Sequence, residues 1–260
     1  MGKKIRIGAL ISGGGTNLQA IIDACESGKI NGDIIFTGTD NPDASGLERA
    51  CKHNISTFSV DYSEIIKRCK NESGYAKLPP DFSMEDIHMK QTLFSEDDDP
   101  EKIREFLTSR AIAEAKLIEA MKPYPFDLLV LAGFMRNLTP YFIDRINTDP
   151  NKPRIMNIHP ALLPAFPGTD GYGDTFRYGC KAGGCTVHFI DYGEDSGPII
   201  GQRSFPIEAT DTLDMVKKKG LEQEWLLYPA CVQLFAENRL TIVRPKEKSN
   251  QRTIVKILQP

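Results

Sequence analysis

No apolar run in these 260 residues reaches the roughly 20-residue length of a membrane-spanning helix, so no span is expected. The start, Met1-Gly2-Lys3-Lys4 leading into Ile5–Ile11, is too short for a secretory core and lacks a cleavage-like ending. A cytoplasmic location is the expectation. No two of the six cysteines stand at CxxC spacing, which argues against a disulfide framework and for reduced thiols. The four histidines form no HxH or HExxH pattern, so no metal site is expected. Charge of one sign is lacking too: 32 Lys+Arg against 35 Asp+Glu give a net charge of -3. That excludes a broad pull toward nucleic acid or an anionic membrane. Internal repeats and low-complexity tracts are absent.

What is present is alternation. Short apolar runs alternate with amphipathic stretches in the first half, the pattern of βαβ units and a parallel sheet. Strands are predicted at 5–11, 33–37, 57–60, 127–134, 154–157, 185–190 and 199–207. Helices are predicted from Thr16 to near Gly28, then over 43–53, 101–121, 139–147 and 211–237. Candidate core positions in the third of these are Ile103, Leu107, Ile112, Ala115 and Ile118. Two β-like runs, 240–243 and 253–258, read as a terminal hairpin. Residues 61–100 break the rhythm, with Lys77-Leu78-Pro79-Pro80, little periodicity and the acidic run Glu96-Asp97-Asp98-Asp99. They read as a loop-like insertion whose acidic end caps the next helix.

Ser12-Gly13-Gly14-Gly15-Thr16-Asn17 joins the first strand to the first helix. Glycines there permit positive φ and close backbone approach, and a helix N-terminus offers free N–H groups to an anion. The stretch is a phosphate cradle or a tight turn. It is neither GxxxxGK[ST] nor GxGxxG, which argues against a triphosphate P-loop and a dinucleotide fingerprint.

The second half places polar residues where a core would not. Asn157-Ile158-His159-Pro160 ends a buried strand, His188 sits inside Thr186-Val187-His188-Phe189-Ile190, and Asp195 precedes Ser196-Gly197-Pro198. Ligands of open α/β sheets bind beyond the carboxyl ends of strands, where Asn157 and His159 fall. These residue types fit acyl transfer to an amine. An Asn amide donates to a developing oxyanion, a histidine protonates the leaving nitrogen, and a carboxylate orients the imidazole or takes the amine's proton. Taken alone, Asn157-x-His159 reads as a turn element before a catalytic pair. His188 reads as a hydrogen-bonded core histidine, and Asp195 as a turn former.

Together these segments resemble the phosphoribosylglycinamide formyltransferase family. The resemblance rests on Ile11-Ser12-Gly13-Gly14-Gly15-Thr16-Asn17-Leu18, Val130-Leu131-Ala132-Gly133-Phe134-Met135-Arg136 and Asn157-Ile158-His159-Pro160-Ala161-Leu162-Leu163-Pro164. Thr186-Val187-His188-Phe189, Asp195-Ser196-Gly197-Pro198 and Glu224 with Tyr228-Pro229 complete the set. The resemblance covers about residues 4–60 and 101–243. It implies a single α/β domain over 1–260 with a Rossmann-like formyltransferase fold: a mostly parallel central sheet flanked by helices, with an antiparallel C-terminal part. The insertion at about 61–100 and the extension at about 244–260 lie outside it.

The same resemblance implies transfer of the formyl group of 10-formyltetrahydrofolate, as co-substrate, to the amine of glycinamide ribonucleotide, without metal or nucleic acid, by a monomer or homodimer. It implies a catalytic trio of Asn157, His159 and Asp195, and a phosphate site from Gly13, Gly14, Gly15, Thr16 and Asn17. Pro160 and Glu224 would contact the acceptor substrate. Arg110, Met135, Arg136, Asn137, Leu138 and Asn157 would hold the folate. Asn137, Asp170 and Tyr172 depart from the family pattern, the last two replacing histidines beside the cleft. Formyltetrahydrofolate hydrolysis, another formyl acceptor, or a non-catalytic ligand-binding homologue are the alternatives.

Overall fold

β1 (Ile5–Ile11) is a fully apolar strand after its first two residues, and α1 (Thr16–Glu26) packs Leu18, Ile21 and Ile22 back onto the sheet. A computed structural model describes residues 3–72, 77–95, 97–244 and 252–259. The predicted insertion and extension therefore lie partly outside the described residues, at 73–76, 96, 245–251 and 260. The chain continues through β2 (Gly32–Thr39), α2 (Gly46–Lys52) and β3 (Ser56–Ser59). Then come α3 (Tyr62–Asn71), α4 (Met84–Lys90), α5 (Pro100–Met121), β4 (Leu128–Leu131), α6 (Pro140–Ile146) and β5 (Ile155–His159). The remainder is α7 (Gly171–Arg177), β6 (Ala182–Phe189), β7 (Ile199–Pro206), α8 (Leu213–Ala236), β8 (Leu240–Val243) and β9 (Ile254–Ile257).

Seven strands form one sheet in the order β3-β2-β1-β4-β5-β6-β7. The first five run parallel, while β6 is antiparallel to β5 and β7 to β6. β8 and β9 make a separate antiparallel pair, the expected hairpin. One face of the sheet is covered by α1 and α8, with Ile21, Tyr228 and Val232 buried there. The other is covered by α3, α5 and α6, with Tyr62, Leu117 and Phe142. Burying each such side chain contributes about 1.5–3 kcal/mol. Tyr228 satisfies its buried hydroxyl by donating to the carbonyls of Leu131 (3.2 Å) and Met156 (2.7 Å), tying α8 to β4 and β5.

Residues 61–100 differ from expectation, because α3 and α4 occupy much of a stretch read as loop. Their apolar stripe is thin, with only Tyr62 and Ile65 buried in α3 and Ile87 in α4, so periodicity is weak. The capping chemistry is clear: Asp61 accepts from the Glu64 N–H and Ser83 from the Asp86 N–H. The acidic run caps α5 as expected, Asp99 accepting from the Glu101 N–H. α7 was not anticipated, since Gly171 and Gly173 are poor helix formers. All six cysteines are free.

Candidate active site

The strand order reverses at β1, so the loops leaving β1 and β4 part around a crevice, and β5 ends beside it. Ser12 knits the two loops. Its N–H donates to the Gly133 carbonyl (2.9 Å), and its hydroxyl accepts from the Met135 N–H (2.8 Å). Buried Asp40 then accepts from both the Ser12 hydroxyl and the Arg136 guanidinium. Arg136 is thereby tied to Asp40, and residues 133–138 line the crevice.

That crevice is a cavity of about 400 Å³. Asn157, His159 and Asp195 all line it. His159 Nδ1 lies 3.0 Å from Asp195 Oδ2, and its Nε2 lies 2.7 Å from the Phe166 carbonyl oxygen. Both ring nitrogens thus face acceptors. Phe166 (φ 54) and Asp195 (φ 48) are both non-glycine residues in the left-handed region. Such conformations cost about 1–3 kcal/mol each and collect at functional sites.

β5–β6 pairing sets Asn157 opposite His188. His188 is fully buried, its Nδ1 3.0 Å from the Phe189 carbonyl oxygen and its Nε2 3.2 Å from Asn157 Nδ2. With Nδ1 donating to the carbonyl, Nε2 accepts from the Asn157 amide. That leaves the second Nδ2 hydrogen of Asn157 for a ligand. His188 Nε2 also lies 3.6 Å from Asp195 Oδ1. Burial pushes the Asp195 carboxyl up, but contacts from His159 and His188 and the Gly168 N–H outweigh it and hold the group well below the ordinary carboxylate range. Asp195 is an anion held by His159 and the Gly168 N–H, with His188 beside it.

On α8, Glu224 is 4% exposed and still lines the cavity. One oxygen accepts from the Tyr172 hydroxyl (2.6 Å), the other from the Asn17 amide (2.6 Å). Burial drives the Glu224 carboxyl above its ordinary value against the pull of those two bonds. Asn17 Oδ1 is buried and unpartnered, an acceptor left for a ligand.

Met135, Arg136, Asn137, Leu138 and Pro160 also line the cavity. Asn137 reaches across its mouth to donate to Glu194 Oε1 (3.2 Å). Leu131, Leu138 and Ile190 supply apolar wall. Gly13, Gly14, Gly15 and Thr16 are not among the lining residues. They form the turn beside it, where Gly15 takes φ 66 and α1 begins with no side-chain cap. A helix start of this kind leaves first-turn N–H groups for an anion.

Arg110 does not line the cavity. It is 9% exposed, its guanidinium 5.0 Å from the Phe106 ring centroid and 5.7 Å from that of Tyr62, with Nε and Nη1 unpartnered. Asp170 does line the cavity, and its carboxylate is engaged by Arg177 (2.8 Å), which offsets its charge. Sequence reasoning missed Glu114, fully buried on α5, which accepts from the N–H of Thr139 (2.8 Å) and from its hydroxyl (2.5 Å) and so pins the end of the 133–139 loop. It also missed the Tyr172–Glu224 bond. A polar residue at a position flagged as unusual was the available signal.

Comparison with known proteins shows the family. The sequence model of the formyl transferase family matches residues 5–232. A phosphoribosylglycinamide formyltransferase from Escherichia coli (strain K12) is 32% identical, over 91% of this chain and 89% of the relative. One from Haemophilus influenzae is 34% identical, over 91% and 90%. Among solved structures, glycinamide ribonucleotide transformylase 1 from Symbiobacterium toebii superposes with a TM-score of 0.72 at 34% identity, covering 100% of this chain and 96% of that one.

Proposed function

Because the chain belongs to the formyl transferase family, we propose that it moves the formyl group of 10-formyltetrahydrofolate onto the amine of glycinamide ribonucleotide, in purine biosynthesis. The observation that carries the reading is the convergence of Asn157, His159, Asp195 and Glu224 on one cavity. The amine attacks the formyl carbon directly, since it is already a nucleophile. The Asn157 amide donates to the oxygen that gains charge in the tetrahedral intermediate. As the bond from the formyl carbon to the folate nitrogen breaks, His159, its Nε2 turned from the Phe166 carbonyl, delivers a proton to that nitrogen. The attacking amine's proton passes through water back to His159, and Asp195 holds the ring for that task.

The uncapped N-terminus of α1 suits the ribonucleotide phosphate, with Gly13 to Asn17 supplying backbone donors. Glu224 and Asn17 Oδ1 suit hydrogen-bond donors on the rest of the acceptor. The 133–138 loop, with Leu131 and Ile190, suits a flat pterin ring. Arg110 lies beside the rings of Phe106 and Tyr62, and its unpartnered Nε and Nη1 are the donors it would bring to a folate carboxylate. The reading is of one cytoplasmic domain over 1–260, monomer or homodimer, with no metal and no nucleic-acid partner.

The test is an assay with 10-formyltetrahydrofolate, with and without glycinamide ribonucleotide. Formyl loss that requires the ribonucleotide is expected. Loss without acceptor would make the protein a hydrolase, and ribonucleotide binding without turnover would make it a non-catalytic homologue.

A further inference from the structure

The β8–β9 hairpin is not part of the main sheet, but it is not loose. Leu240, Ile242 and Val255 pack against the core, and β9 lies against β7. From its two strands the hairpin extends two arginines. Arg252, just before β9, donates through Nη2 to the Ser196 carbonyl at 2.6 Å. Arg244, just after β8, donates through Nη2 to the Pro150 carbonyl at 2.9 Å. A second cavity of about 360 Å³ lies between, walled by Tyr192, Ser196, Ile242 and both arginines. Pro150 precedes β5, which ends in Asn157 and His159. Ser196 directly follows Asp195.

The loop around Asp195 needs holding. Asp195 occupies a left-handed conformation that a non-glycine residue adopts at a cost of about 1–3 kcal/mol. From inside, the loop is knit by Asp191, whose Oδ1 accepts from the Gly193 N–H (3.2 Å) and the Ser196 hydroxyl (2.5 Å). From outside, the bond on the Ser196 carbonyl comes from Arg252. A carbonyl held on one side and a carboxylate held by His159 and the Gly168 N–H on the other fix the peptide between them.

We propose that Arg252 is a positioning residue: by gripping the Ser196 carbonyl it fixes the backbone at Asp195, and so the 3.0 Å contact between Asp195 and His159. The role in turnover rests on the formyl-transfer reading, while the effect on the loop does not. Arg252 is exposed and outside the core, so its removal leaves the fold intact.

The test compares wild type, Arg252→Ala and Arg252→Lys by steady-state kinetics and by amide hydrogen exchange. Gly168 is the reporter, because its N–H donates to Asp195 Oδ2 at 2.8 Å. A charged hydrogen bond at an exposed site is a modest contribution, so the expected change is about three- to tenfold. In Arg252→Ala, kcat should fall by that factor with KM for the ribonucleotide within about twofold, and the Gly168 amide should exchange faster by a similar factor. Arg252→Lys, which keeps a cationic donor, should recover part of both losses. Unchanged Gly168 exchange in Arg252→Ala overturns the proposal. So does faster exchange with unchanged kcat, since the grip then does not reach the chemistry. If wild type itself shows no transfer, the formyl-transfer reading fails separately, and Gly168 exchange alone decides whether Arg252 holds the loop.

Discussion

Tyr172 donates its hydroxyl to Glu224 across 2.6 Å, and both side chains are buried, 6% and 4% exposed. A carboxylate at that depth is tolerable because each oxygen has a donor, Tyr172 on one side and Asn17 on the other. The pairing holds Glu224 at the cavity wall.

Tyr172→Phe tests that pairing. It keeps the ring that packs against Phe205 and removes the donor to Glu224. Leaving a buried acceptor unsatisfied costs about 1–3 kcal/mol, read as a lower melting temperature. The Glu224 carboxyl, already raised by burial, should rise further. Acceptor binding should then weaken as pH falls, at a higher pH than in wild type, with KM for the ribonucleotide up by about tenfold and kcat little changed. An unchanged KM with an unchanged melt would mean that Tyr172 does not hold Glu224.

The trio at the cavity centre makes a different prediction. His159→Ala removes the proton donor and should lower turnover by about 10²–10⁴. Asn157→Ala should cost about 10²–10³ through the lost oxyanion donor. Asp195→Asn keeps the shape but removes the charge between His159 and His188. In wild type the Asp195 carboxyl is held below its ordinary value, so its stabilising contribution is complete above about pH 4 and is lost as pH falls through the lowered value. The Asn variant should therefore lose turnover near neutral pH and show a flatter acid limb in thermal melts. Turnover within a few-fold of wild type in any of the three would remove that residue from the mechanism.

Much of this site was legible in the sequence because its residues break a pattern. Asn157 and His159 interrupt an apolar strand end, and His188 interrupts a strand with Val187 and Phe189 on either side. Asp195, remote in sequence from those motifs, is readable from its place before Ser196-Gly197-Pro198, while Glu224 is readable only through the family's order of segments. Arg110 shows the limit. The arginine can be aligned by order, but its place outside the cavity, beside Phe106 and Tyr62, could not be read from the sequence, and Tyr62 belongs to a helix the sequence did not reveal. That helix was hidden because two buried residues are too few for a periodic signal, although Asp61 with Glu64 marks its start.

Gly197 is predicted to be irreplaceable on steric grounds. A Cβ there would lie 1.8 Å from the Phe189 carbonyl oxygen, a backbone atom at the end of β6. Gly197→Ala must shift either that strand end or the loop two residues from Asp195. Overpacking of this kind typically costs about 1–3 kcal/mol. Turnover should fall further than the melt implies, because the displaced loop carries the partner of His159. Equal kcat in the Ala variant would show that the loop relaxes without moving Asp195.

Glu114 gives a prediction about pH and stability. Its carboxyl is fully buried, and burial pushes it up to about 8 despite the opposing hydrogen bonds from Thr139 and the charges of Arg110 and Arg145. In the unfolded chain it titrates near 4.5. The folded state therefore binds the extra proton between those values, so Glu114's contribution to stability is complete below about pH 4.5 and is lost as pH rises toward about 8. Glu114 accepts from the Thr139 N–H and from the Thr139 hydroxyl, and a glutamine can keep the first bond through its amide oxygen and turn its amide NH2 to the hydroxyl oxygen without titrating. Glu114→Gln should match wild type near pH 5 and become the more stable of the two by pH 8, where wild type must bury a carboxylate. Because Thr139 ends the 133–139 loop, the same variant should keep KM for the folate flat over that range. Parallel melting curves for the two proteins across the range would place the Glu114 proton outside the folding equilibrium, leaving Thr139 held by a permanently charged carboxylate.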